Sequence, residues 1–200
     1  AVGSHEQWLV RRNVAPLRGA LAATPRRVWQ PEPGRLYCDP AMHDNHDLRT
    51  MPKVELHRHL DGSVRVQTIL DLARAQGIDP GDPARLTVTK PMADLEAVLS
   101  CFATLQAVLS SAAAISRVAF ENVEDAWNDG VRLVELRFAP AFIAKGKALT
   151  NDEIIEAVLD GTARGMARYP VEVGLIGILP RSLPLDVNER ATRDLVRWRS

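Results

Sequence analysis

The chain has 200 residues, with 25 Lys and Arg against 25 Asp and Glu, a formal net charge of zero, and a 46% hydrophobic share. That balance offers no basic surface for nucleic acid or for an anionic membrane, and no apolar run approaches the roughly 18 residues of a bilayer span. Cys38 and Cys101 are too few for a disulfide framework and lack metal-ligand spacing, so a reducing, cytoplasmic setting is expected.

Residues 1–50 carry Pro16, Pro25, Pro31, Pro33 and Pro40 among seven arginines, and no helical or alternating period runs through them. They are expected to be a disordered or upstream-translated arm, with Met51 the natural start of the patterned chain. The alternative is a genuine but irregular N-terminal arm. The opening Ala1-Val2-Gly3-Ser4-His5 does not have the form of a secretory signal.

From Met51 the pattern changes. Val54–His57 reads as a strand. Val66–Gln76 has helical apolar spacing, and Gly77 closes it. Asp79-Pro80-Gly81-Asp82-Pro83 is a loop by its turn residues. A helix is expected from Met92 to about Ser110, with Leu95, Val98, Leu99, Phe102 and Leu105 recurring at three and four. Another covers Ala112–Asn128, stopped by Asp129-Gly130. Val131–Phe138 is a strand ended by Pro140. Thr150 begins a helix to Tyr169, with Glu153 completing a capping box. Val171–Leu179 is the third strand, and Leu185–Ser200 starts a last helix.

Strands alternating with helices predict parallel strands joined by right-handed crossovers. A closed eight-unit barrel takes about 250 residues, and residues 51–200 supply three strands. The expected fold is therefore α/β, a partial (β/α)8 barrel holding the first three β/α units and cut at both ends.

The chemistry concentrates at Lys53-Val54-Glu55-Leu56-His57-Arg58-His59-Leu60-Asp61-Gly62. Residues two apart on a strand face the same way, so His57 and His59 aim both imidazoles at one point. Neutral imidazole suits zinc and similar metals. A His-x-His pair also arises by chance, but a strand end followed by a helix is where barrel enzymes place their chemistry. Asp61 falls where the strand gives way to a turn, with Gly62 supplying backbone freedom. His5, His43 and His46 lie upstream, and no histidine follows His59. Glu135 and Arg137 alternate with apolar residues on the second strand. An ion pair with a neighbouring element is expected for them over a contact with substrate. Arg181, after the third strand, is expected to be structural or to support the site, and Cys101 to be a small core residue.

The chain resembles the bacterial branch of the adenosine deaminase family of metal-dependent hydrolases. The likeness runs through His57–Gly62, Gln67–Leu70, Arg117–Ala126, Val134–Pro140, Glu156–Gly161 and Leu175–Leu179, in order, over about residues 52 to 183. It implies an amidohydrolase-like barrel that uses Zn2+ to deaminate adenosine or 2′-deoxyadenosine to inosine or 2′-deoxyinosine, with release of ammonia. His57 and His59 match zinc ligands of the first strand, and His59 also lies close to substrate in such sites. Asp61 matches the carboxylate that binds a sugar hydroxyl. Leu95, Val98, Leu99 and Phe102 resemble an apolar flap over the ribose, with ordinary core packing the competing reading. The implied partner is a small nucleoside, with neither nucleic acid nor membrane, and the oligomeric state stays open.

The family pattern also needs a third ligand His followed by a general-acid Glu, in a His-Ala-Gly-Glu type segment, and later a further His and an Asp pair. With no histidine beyond His59, no catalytic residue is assigned here and the 200 residues alone are expected to be inactive. Three alternatives remain. A sister deaminase would act on adenine or an aminofutalosine-type nucleoside. A His-x-His phosphoesterase would place Ser-Asp-Gly several residues after the second His, unlike Asp61-Gly62. An inactive half-barrel would serve only as a structural unit.

Overall fold

The computed structural model describes residues 7–10, 51–87, 91 and 102–199. In chain order these are β1 (Gln7–Val10), β2 (Lys53–His59), α1 (Val66–Gln76), a 3-10 turn (Pro83–Leu86), α2 (Phe102–Val108), α3 (Ala112–Asn128), β3 (Val131–Phe138), α4 (Pro140–Ala144), α5 (Asn151–Arg168), β4 (Glu172–Ile178) and α6 (Leu185–Arg197). No single helix among them is long and apolar enough to cross a membrane.

The sheet order is β1-β4-β3-β2. β2 pairs with β3 and β3 with β4, both parallel, as the strand and helix alternation predicts. β1 adds antiparallel to β4, from Gln7 opposite Ile178 to Val10 opposite Leu175. The rest of the expected arm, residues 1–6 and 11–50, lies outside the described residues.

One face of the sheet builds the core. Leu136, Phe138 and Leu175 join Ile115, Val118, Ile154 and Val158 in one buried cluster, and Val134 packs with Val123 and Ala126 in a second. Helices α3 and α5 meet through small residues. A Cβ on Gly161 would stand 2.2 Å from the Ser116 carbonyl oxygen, and one on Gly165 would stand 2.7 Å from the Val123 Cβ. Only glycine permits this approach.

Local signals place the helix ends. Gly77 takes φ 67° and its N–H reaches the carbonyls of Ala73 and Arg74, closing α1. Ser111 Oγ accepts from the Ala114 N–H at the start of α3. Thr150 and Glu153 form the expected reciprocal capping box of α5.

Several boundaries differ from expectation. β2 runs to His59, so both histidines are within the strand. The helix expected over 92–110 is described only from Phe102 and ends at Val108, while Leu95, Val98, Leu99 and Cys101 lie outside the described residues. Pro140 does end β3, but it also opens the short helix α4 as its first residue, where a missing N–H costs nothing. Among the described residues the glycines with positive φ are Gly77, Gly81, Gly130 and Gly146. Gly62 is not among them, so the turn after β2 does not use the freedom anticipated for it.

Candidate functional site

The phase of β2 decides where its side chains point. Glu55 pairs with Val134 and Arg58 with Leu136, both on the helix-covered face, while His59 pairs with Arg137 on the other. Between Glu55 and Arg58 the register shifts, so Leu56 and His57 together stand opposite Glu135. This is a β-bulge, and it resets the alternation. Glu55 and Arg58 therefore end on one side, joined by a 2.6 Å ion pair. Arg58 also donates to the Asn122 carbonyl of α3. His57 and His59 are released to the opposite side, where both remain exposed.

The two imidazoles converge, with Nε2 to Nε2 at 3.2 Å and ring centroids 5.2 Å apart. Two nitrogens on a tetrahedral zinc, each at about 2.0–2.1 Å, stand roughly 3.3 Å apart. The pair therefore fits two ligands of one ion. Desolvation is the largest influence on His59 and pushes its imidazolium below the usual histidine range. Asp61 opposes this, and His57 and Arg137 reinforce it. The neutral ring, the form that binds metal, is favoured. Among the described residues no cluster of three or more His, Cys, Asp or Glu forms a fuller ligand set.

Asp61 follows on the turn, and Leu60, wholly buried, fixes that turn from below. The Leu60 N–H donates to the Arg137 carbonyl at 2.9 Å, which extends the β2–β3 ladder to the turn. Burial pushes the Asp61 carboxyl above its usual value, against the opposing charge of His59 and bonds that include the Gln106 side chain. Gln106 Nε2 donates to Asp61 Oδ2 at 2.7 Å. The segment after Asp61 is tied to α3: Arg65 holds Glu124 and Asp125, each at 2.6 Å. Thr68 Oγ1 donates to the buried Glu121 at 2.6 Å.

A pocket of about 540 Å³ is lined by His57, His59, Asp61, Phe102, Gln106 and Phe142, and the Glu55–Arg58 pair also borders it. That size and mixture of apolar and polar lining suit a small ligand. Of the residues singled out in the sequence, the structure brings together His57, His59, Asp61 and Phe102. Sequence reasoning misses two residues. Gln106 lies four after Phe102 and so shares its helix face, a spacing that could have found it. Phe142 sits on α4, just beyond the end of β3, where strand-end residues converge. The ion pair expected for Arg137 is not found among the described residues, for the side chain donates instead to the Leu56 carbonyl at 2.9 Å. Arg181 is exposed.

A family profile described as "Adenosine deaminase" matches residues 52–200. Proteins named adenosine deaminase from Salmonella newport and Salmonella typhi are 43% identical over 141 residues, covering 66% of this chain and 42% of theirs. The chain thus spans less than half the length of these relatives. Among solved structures, an amidohydrolase from Burkholderia ambifaria with bound Zn is similar at a TM-score of 0.65 and 23% identity, over 76% of this chain and 42% of that one. The Arabidopsis N6-mAMP deaminase is similar at 0.54 and 27%, over 65% of this chain and 41% of its own.

Proposed function

The chain belongs to the adenosine deaminase family, and from that premise we propose that it supplies the first part of a zinc site for hydrolytic deamination of adenosine or 2′-deoxyadenosine. The observation that carries this reading is the convergence of His57 and His59 Nε2 to 3.2 Å at the end of a parallel strand.

A zinc ion held there would supply Lewis acidity, lowering the pKa of water to roughly 7. The protein's own part is positional. His57 and His59 would hold the ion as neutral rings. Asp61, oriented by Gln106, would accept a hydrogen bond from a sugar hydroxyl. Phe102 and Phe142 would cover an apolar face of the nucleoside and exclude water. Two imidazoles and solvent can hold the ion, but turnover also requires a third ligand and a general acid, and the 43% relatives extend well beyond the span this chain matches. Because no histidine follows His59, we expect the 200 residues alone to be inactive. General acid–base help is worth roughly 10²–10⁴ in rate. Adenosine is favoured over a methylated adenine nucleotide because the adenosine deaminases are 43% identical and the N6-mAMP deaminase 27%.

The test is a chimera in which residues 52–199 replace the matching stretch of a Salmonella adenosine deaminase. It should turn over adenosine in a zinc-dependent manner, read by ultraviolet absorbance. His57→Ala and His59→Ala should each abolish zinc retention and turnover. Asp61→Ala should raise KM while zinc is retained. A folded, zinc-loaded chimera acting on adenine and not on adenosine would move the assignment to a sister deaminase. Zinc-dependent turnover by the 200 residues alone would show that the catalytic groups have been misplaced.

A further inference from the structure

The guanidinium of Arg137 is buried, with only 5% of the residue exposed. Among the described residues it has no carboxylate partner within ion-pair distance, and its Nε makes no hydrogen bond. A buried cation without a counter-ion is costly, and an apolar side chain of similar volume would be cheaper. Among the described residues its one side-chain bond runs from an Nη to the Leu56 carbonyl at 2.9 Å. Leu56 sits inside the β2 bulge, where the regular ladder to β3 is interrupted. A bulge leaves backbone groups without ladder partners. Arg137 reaches back across the sheet and takes up one of them.

We propose that Arg137 is a positioning residue that clamps the β2 bulge and so sets the convergence of His57 and His59. The inference rests on the reading that the two histidines hold a metal ion. The backbone carbonyl it grips belongs to the residue just before His57. Arg137 itself stands opposite His59 in the register. One side chain thus bears on the strand between the two imidazoles. Without the clamp the bulge can relax toward a regular ladder, and the angle between the rings opens. The apolar residues around the bulge cannot substitute for it, because Val54 and Leu56 are 62% and 57% exposed.

The 200-residue chain is tested in two ways as wild type, Arg137→Met and Arg137→Lys. The first readout is amide hydrogen exchange across Leu56–His59, with β3 and β4 as internal controls. The second is zinc affinity by competition with a chelator, with His57→Ala as the blank. Arg137→Met should speed exchange in Leu56–His59 while β3 and β4 stay protected. It should also weaken zinc by roughly tenfold, the lower end of what supporting residues around metal ligands are worth. Arg137→Lys, which keeps charge and one donor, should recover most of both. If Arg137→Met does not fold, Arg137→Gln, too short to reach the Leu56 carbonyl, decides: it should show faster exchange at the bulge than wild type, and equality in both readouts overturns the clamp. Faster exchange with unchanged zinc affinity overturns the link to the histidines. Loss of zinc with unchanged exchange overturns the clamp. A wild-type chain whose zinc uptake matches the His57→Ala blank refutes the metal reading instead, and exchange alone then upholds or overturns the clamp.

Discussion

The two faces of the sheet are built on opposite terms. Toward α3 and α5, β3 presents Val134, Leu136 and Phe138, each almost wholly buried, against helices close enough to require glycine. On the other face and at the strand ends stand His57, His59, Asp61 and a buried Arg137, beside the exposed Val54 and Leu56. The first face is explained by the area it removes from water. The second is not, since its polar groups cost free energy to place and its apolar groups are uncovered. The difference teaches which residues are present for packing and which for chemistry.

The contrast breaks first on the packed side. Phe138→Ala should cost about 3–5 kcal/mol, the range for deleting a fully buried phenylalanine, read as a fall in the denaturation midpoint. A loss below about 1 kcal/mol would mean that β3 is not the spine of this core. Gly161→Ala should cost about 1–3 kcal/mol, because the new methyl would stand 2.2 Å from a backbone oxygen that cannot swing aside. An unchanged midpoint would mean that α3 and α5 stand farther apart than this.

The packed face is legible in the sequence. The apolar periods of residues 112–128 and 150–169 and the strand at 131–138 carry their own signal, because burial demands a period that matches the element. His57, His59 and Asp61 are legible for a different reason, the motif they compose. The bulge in β2 is not. Nothing in Glu55-Leu56-His57-Arg58 marks an extra residue, since the register comes from pairing with β3, which is distant in the chain. The expected alternation holds between His57 and His59, which share a side, but not back across the bulge to Glu55. Counting by twos from Glu55 would put them on the helix side with it. Phe142 escapes sequence reasoning because it joins the site only through tertiary packing, and Gln106 because its spacing from Phe102 shows a shared helix face but not what that face meets. The charge of Arg137 suggests an ion pair, because sequence shows the charge and not the carbonyl it meets.

On the site face the effects are smaller and depend on pH. The folded pKa of Asp61 is raised, with burial as the main cause. The folded state therefore holds this proton to higher pH than the unfolded chain. Its stability is fullest below the unfolded value and declines as pH rises through it toward the folded one. Asp61→Asn cannot ionise and escapes that decline. Its melting temperature relative to wild type should be higher near neutral pH than in acid, measured by calorimetry at both. A difference that runs the other way would mean that Asp61 is stabilised as an anion. Smallest of all, Val54→Thr should change stability by no more than about 0.5 kcal/mol, as for an uncovered surface position. A much larger loss would show that something covers this face.

The central claim is that the bulged strand aims His57 and His59 at one metal ion, and zinc uptake by equilibrium dialysis tests it most directly. Wild type, His57→Ala, His59→Ala and the double variant would be compared with folding verified for each. The wild-type chain should bind zinc, and each single variant should fall to the level of the double, because two ligands of one ion fail together. Single variants that keep wild-type uptake, or that each lose an independent share of it, would contradict the site.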